Sequence, residues 1–390
     1  MQAIQSYTLP PDKLLQAIEY AHIRYFLHFA GFAVQIVALL AVIRVRLASR
    51  LRFSRPIALI SAVLVLLALA DLPLDAIRHS ASLRFGISVQ GWPSWLWDWI
   101  KEQCVGLAIS AALFRCFYVL LRKSPQRWWL CTWLASIPIV IGSVYAEPWL
   151  LEPLFNKFTP LARTHPELIA PIETVLKRAG LAIPNDRFFE MEASAKTNSL
   201  NAYVSGFGSS RRVVLYDTII LKERGPELLT TFAHELGHYA LDHIAKGVAF
   251  GIILFLTGSY AAFRCIRLAI RRWGPTLGIS AVSDVVSIPV FLLFIELSQL
   301  LSEPLVNAFS RAQEHAADVY SLEVTHNLIP DARQAAAHAF QIEGETDLDE
   351  PAPHPFIVFW LYSHPPTAER LRFALTYDPW RPGQAPRYVH

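Results

Sequence analysis

Six stretches of the chain are apolar for long enough to cross a bilayer, and polar positions return between them. They fall at about 25–43, 57–75, 104–121, 128–146, 246–263 and 285–302. A hydrocarbon core about 30 Å thick asks for roughly 20 apolar residues in helix, so the pattern predicts six transmembrane helices. The fourth stretch opens on Trp128 and Trp129 and closes on Tyr145 and Trp149, which puts aromatic residues at both interfaces. Arg115 and Glu296 interrupt the third and sixth stretches. Charges at that depth normally face the bundle interior, either as a structural pair or snorkelling side chain or as the lining of a polar chamber. Residues 1–24 mix charged and apolar positions and read as an amphipathic helix entering the membrane, not as a cleavable signal.

Between the fourth and fifth stretches the pattern changes. Short β-rich runs at 187–191, 202–205 and 212–216 alternate with turn residues and predict a small antiparallel sheet. A helix is expected before it, at 166–180. Another begins at Pro226-Glu227, where proline at the first helical position is followed by an acid. Beyond the sixth stretch the pattern predicts helices at 304–327 and 331–342, an acidic loop at 343–350, and a final helical region to about 376. The expected fold is therefore mainly α. It is a polytopic bundle of about six spans with a small α+β zincin-like (gluzincin) metalloprotease domain. Expected boundaries are 1–146 for the first four spans, 147–245 for the soluble insert, 246–303 for spans five and six, and 304–390 for the C-terminal helical part.

Composition agrees: 53% of residues are apolar and only 17% are charged. The net charge of +3, without a basic–aromatic patch or a phosphate-binding loop, excludes nucleic acid as a partner. Cys104, Cys116, Cys131 and Cys265 lie in or beside apolar runs without C-x-x-C spacing and read as small packing residues.

The chemistry concentrates in His234-Glu235-Leu236-Gly237-His238. On a helix, positions i and i+4 lie about 40° apart, so two imidazoles can grip one metal ion. Glu235 is placed to reach a water on that metal and act as general base. A catalytic zinc site takes three protein ligands, so a third must come from elsewhere. Glu314 is the favoured candidate, within Ser310-Arg311-Ala312-Gln313-Glu314-His315-Ala316-Ala317-Asp318, and on spacing alone His315 stays open. Asp318, one turn on, can accept the N–H of a ligating imidazole. Arg311 is a candidate partner for a site carboxylate, and His243 reads as a structural or solvated residue.

These motifs, with others in the same order, resemble the CAAX prenyl protease type-1 family of integral-membrane zinc metalloendopeptidases, in its bacterial form. The others are Leu72-Pro73, Arg84-Phe85-Gly86-Ile87, Pro153–Leu161, Asn201-Ala202-Tyr203, Arg212–Thr218, and Ser363-His364-Pro365-Pro366 with Glu369-Arg370. The similarity runs from about residue 60 to 376. It implies one Zn2+ per chain, held by His234, His238 and Glu314, with Glu235 catalytic. It also implies that Asn201, Ala202 and Tyr203 form an edge strand that binds substrate backbone. His364 is implied to lie near the metal, where it can donate to the oxyanion. Two departures stand out. Eukaryotic members have seven spans against six here, and their Gly-Phe-Asn motif reads Gly86-Ile87-Ser88, which weakens any inference to prenyl recognition.

The expected activity is hydrolysis of peptide bonds in membrane-associated, lipidated or misfolded proteins. Partners are then a peptide or protein substrate and the bilayer. The rival is an inactive metal-binding scaffold or receptor, which has no need of Glu235. The setting expected is a bacterial plasma membrane. The loops after the first, third and fifth stretches share one side and hold twelve basic residues, from Arg44 to Arg55, Arg122 to Arg127 and Arg264 to Arg272. The positive-inside rule makes that side cytoplasmic and turns the metal motif to the extracytoplasmic face. The family resemblance implies the opposite face.

Overall fold

The computed structural model describes residues 4–50 and 56–389. Arg52 and Arg55 of the first basic loop lie outside the described residues. In chain order the helices are α1 (Pro11–Arg44), α2 (Pro56–Arg84), α3 (Trp92–Lys123), α4 (Trp128–Leu150) and α5 (Ile169–Arg178). Then come α6 (Asp217–Lys222), α7 (Pro226–Ala240), α8 (His243–Leu277) and α9 (Ile288–Thr325). The last are α10 (Ala332–Asp347), α11 (Pro355–Leu361) and α12 (Thr367–Thr376). The strands are β1 (Phe158–Pro160), β2 (Phe188–Met191), β3 (Ala202–Ser205) and β4 (Arg212–Tyr216).

Among the described residues, six helices are long and apolar enough to cross a membrane: α1, α2, α3, α4 with its extension to Phe155, α8 and α9. α1 packs on α2 and α9, and α4 packs on α8. The amphipathic N-terminal helix and the first span are one 34-residue helix. At 1.5 Å per residue it is about 51 Å long, so its first turns stand clear of the hydrocarbon.

The expected break between the sixth span and the helix after it is absent. α9 runs 38 residues straight through Pro304. A mid-helix proline loses one hydrogen bond and normally kinks or ends a helix. Here neighbours brace both sides of it. His28 of α1 pairs with Glu303 at 3.0 Å, and Asn307 Nδ2 donates to Trp360 O of α11. Glu314 therefore rides on the same rigid element as the sixth span. Most of the expected acidic loop is also helical, because α10 continues to Asp347.

The sheet order is β1-β2-β4-β3. β1 pairs antiparallel with β2, β2 parallel with β4, and β3 antiparallel with β4. The sheet is thus mixed rather than antiparallel, and its fourth strand was not expected. β3 is left at an edge. Beneath the sheet Phe188, Val213, Leu215, Phe232, Leu236 and Tyr320 share a buried core.

Hydrogen bonds and ion pairs fasten the insert to the bundle. Val89 N donates to Lys196 O at 3.0 Å, and Asn198 N to Ile87 O at 2.8 Å. Glu152, just past α4, pairs with buried Arg212 of β4 and accepts from Tyr203 of β3 at 2.9 Å. Glu296 lines a 390 Å³ cavity among the spans with His28, Asp71 and Arg78, while Arg115 does not reach it.

Candidate metal centre

The site depends on how closely α7 and α9 approach. A Cβ at Gly237 would stand 3.1 Å from Ala317 Cα and 3.2 Å from Tyr320 Cβ. Glycine lets the two backbones meet, and that sets Glu314 opposite the two histidines of α7. Between α7 and α8 the chain turns at Asp242, whose φ of 52° is left-handed. Arg211 braces the turn, reaching Asp242 Oδ1 at 2.9 Å and Tyr239 O at 3.0 Å.

His234 Nε2 lies 3.1 Å from His238 Nε2 and 3.2 Å from Glu314 Oε2. His238 Nε2 lies 3.6 Å from Glu314 Oε1. The other ring nitrogens are engaged elsewhere. His234 Nδ1 is 2.8 Å from Asp318 Oδ1, and His238 Nδ1 is 3.0 Å from His243 Nδ1. Two imidazole lone pairs and a carboxylate therefore converge on one point. Zinc bonds of about 2.0–2.1 Å in a tetrahedron place donors about 3.3–3.4 Å apart, close to the separations found. The donor set fits zinc. It also calls for positive charge. Burial pulls the His234 pKa down, but Asp318 and Glu314 outweigh it and raise the value to about 10.

Glu235 lines a 710 Å³ cavity together with His234, His238 and Glu314 and is buried. Burial pushes its carboxyl up to about 7, against the pull of His238 and His234. His364 Nε2 stands 3.3 Å from Glu314 Oε2, with its side chain 57% exposed towards the cavity. Asn201, Ala202 and Tyr203 form another stretch of the wall, at the free edge of the sheet.

Arg311 does not pair with a site carboxylate, as the sequence reading had it. It donates to Val358 O and Tyr362 O instead. It faces the C-terminal end of α11, whose last carbonyls need donors. His315 turns away and packs on the Phe373 ring at 4.5 Å.

Three contributors were not assigned a place at the site from sequence: Gly237, His243 and Arg370. Arg370 is a two-point partner of Asp318, with Nε to Oδ2 at 3.0 Å and Nη2 to Oδ1 at 2.7 Å. Glu369-Arg370 belongs to the family resemblance, which gives it no role. The small pair Ala316-Ala317 facing a glycine was the signal for the close approach.

The fold and the site define a multi-pass membrane metalloprotease. Residues 162–378 match the model of peptidase family M48, and residues 14–157 match that of the CAAX prenyl protease N-terminal region, described as five membrane helices. The chain belongs to peptidase family M48. It is 30% identical to the uncharacterized metalloprotease YhfN of Bacillus subtilis over 96% of its own length and 88% of that chain. It is 28% identical to CAAX prenyl protease 1 of Saccharomyces cerevisiae over 78% of its length and 68% of the yeast protein. The relatives bearing that name are matched over 46–68% of their own length. The crystal structure of S. mikatae Ste24p shares the fold, with a TM-score of 0.80, 23% identity, and coverage of 96% of this chain and 93% of the other.

Proposed function

We propose that the protein is a zinc endopeptidase that cleaves membrane-associated polypeptides, with one zinc per chain held by His234, His238 and Glu314. One observation carries this reading: the two histidine Nε2 atoms face each other 3.1 Å apart while both Nδ1 atoms have other partners. A positive charge, proton or metal ion, is needed between them, and Glu314, converging as a third donor at 3.2 and 3.6 Å, makes the set one for a metal ion.

A bound zinc would supply Lewis-acid polarisation of the scissile carbonyl and acidify a water. The protein's own residues do the rest. Substrate backbone adds to the edge strand at Asn201–Tyr203. Glu235 takes the proton of the attacking water and returns it to the leaving amine. His364 Nε2 donates to the oxyanion. Asp318, locked by Arg370, holds the His234 tautomer.

The substrate class we favour is unfolded or damaged membrane protein in a bacterial plasma membrane. The near full-length match to the Bacillus metalloprotease supports the bacterial setting, and Gly86-Ile87-Ser88 gives prenyl recognition no support. Purified protein in lipid should cleave an unfolded membrane protein faster than a farnesylated peptide. A strong preference for the farnesylated peptide over its unmodified form would overturn that choice of substrate.

A further inference from the structure

α11 is seven consecutive apolar residues, and it belongs to none of the span-length helices. Most of its sides are accounted for. Asn307 and Arg311 of α9 donate to the carbonyls of Trp360, Val358 and Tyr362. The Trp360 ring lies 6.3 Å from Phe29, which sits within the first apolar stretch of α1. Leu361 and Tyr362 line the metal cavity. Phe356 and Phe359 do not. They are 50% and 53% exposed, and Phe359 lines a separate 500 Å³ groove with Pro355 and Val358, whose wall also carries Arg311, Glu369 and Arg372. Arg372 is exposed and makes no ion pair among the described residues. On α1, Phe26 stands one turn from Phe29 and is 71% exposed, extending the same apolar surface.

We infer that α11 is an in-plane membrane element, whose Phe356–Phe359 face lies among the acyl chains of the surrounding phospholipid. Its occupant follows from continuity. The helix is joined to α1 at Phe29, inside the first apolar stretch, and to α9 at Asn307 and Arg311, just beyond the sixth, and it carries no charge. Arg372, beside it, is placed to extend to headgroup level. The consequence reaches the site. His364 follows α11 by three residues, so the loop carrying it is held from below by an element seated in the bilayer. Proteolysis then has a built-in dependence on the membrane that six spans alone do not impose.

The test uses the full chain in phospholipid nanodiscs, with the four native cysteines replaced. A nitroxide is placed singly at Phe356→Cys and Phe359→Cys, with Phe26→Cys as the lipid control and exposed Asp186→Cys as the water control. Collisional relaxation by oxygen should exceed that by a water-soluble nickel complex at both α11 positions, as at Phe26. Retained zinc binding shows that each labelled variant is folded. Nickel dominance at both positions would overturn the inference by showing a solvated helix. Shielding from both reagents would overturn it too, by showing that a second copy or another protein covers the face.

Discussion

Asp318 Oδ1 lies 2.8 Å from His234 Nδ1. That contact orients the ring so that Nε2 points at His238 and Glu314, and Arg370 keeps Asp318 in place with two hydrogen bonds. Replacing Asp318 with Asn keeps the side chain's shape but leaves Arg370 without its counter-charge, so it should cost stability as well as weaken zinc binding by about 10–100-fold. Competition with a chelator measures it. Arg370→Gln strands a buried carboxylate and should cost about 3–5 kcal/mol of stability, read as a lowered unfolding midpoint. Unchanged zinc affinity in Asp318→Asn would reduce this contact to packing.

Gly237 makes a second prediction. An alanine there pushes α9 away from α7, because its Cβ meets Ala317 and Tyr320. Overpacking of this kind costs about 1–3 kcal/mol. The shift also draws Glu314 away from the histidines, so zinc affinity should fall together with stability. A variant that loses stability but binds zinc normally would show that the metal site does not depend on this crossing.

His364→Ala tests oxyanion stabilisation. It should lower kcat by about 10²–10³ with zinc retained and KM little changed. A kcat equal to that of the unaltered enzyme would return His364 to an exposed turn residue.

Much of this site was readable from residue spacing, and the reasons are local. His234 and His238 share one helical face whatever surrounds them, and Asp318 follows Glu314 by one turn for the same reason. The six apolar runs were equally legible, because a membrane span is a property of one continuous segment. What escaped depended on partners distant in sequence. β1 is three residues long and ends in proline, and it exists only because β2 offers it an edge. The parallel pairing of β2 with β4 is set by the crossover between them. A proline such as Pro304 normally kinks or ends a helix, yet α1 and α11 hold α9 together through it. The charge of Arg311 makes it a candidate partner for a carboxylate, while its acceptors are main-chain carbonyls that no sequence pattern displays.

The direction of the bundle is a fourth prediction. The described basic residues from Arg44 to Arg50, Arg122 to Arg127 and Arg264 to Arg272 lie at helix ends opposite those that carry the metal site. We propose that these ends are cytoplasmic and that the site faces outward. In a chain without its native cysteines, Asp186→Cys should react with a membrane-impermeant maleimide in spheroplasts, and Gln126→Cys only after lysis. The reverse pattern would put the protease face in the cytosol.

Glu235 separates a protease from a metal-binding scaffold most directly. Purified wild type and Glu235→Gln should be compared for bound zinc and for casein cleavage in the same preparations. The account predicts about one zinc per chain in both, with cleavage nearly abolished in the variant, while Glu314→Ala loses the metal as well. Unimpaired cleavage by Glu235→Gln, or full zinc occupancy in Glu314→Ala, would contradict it.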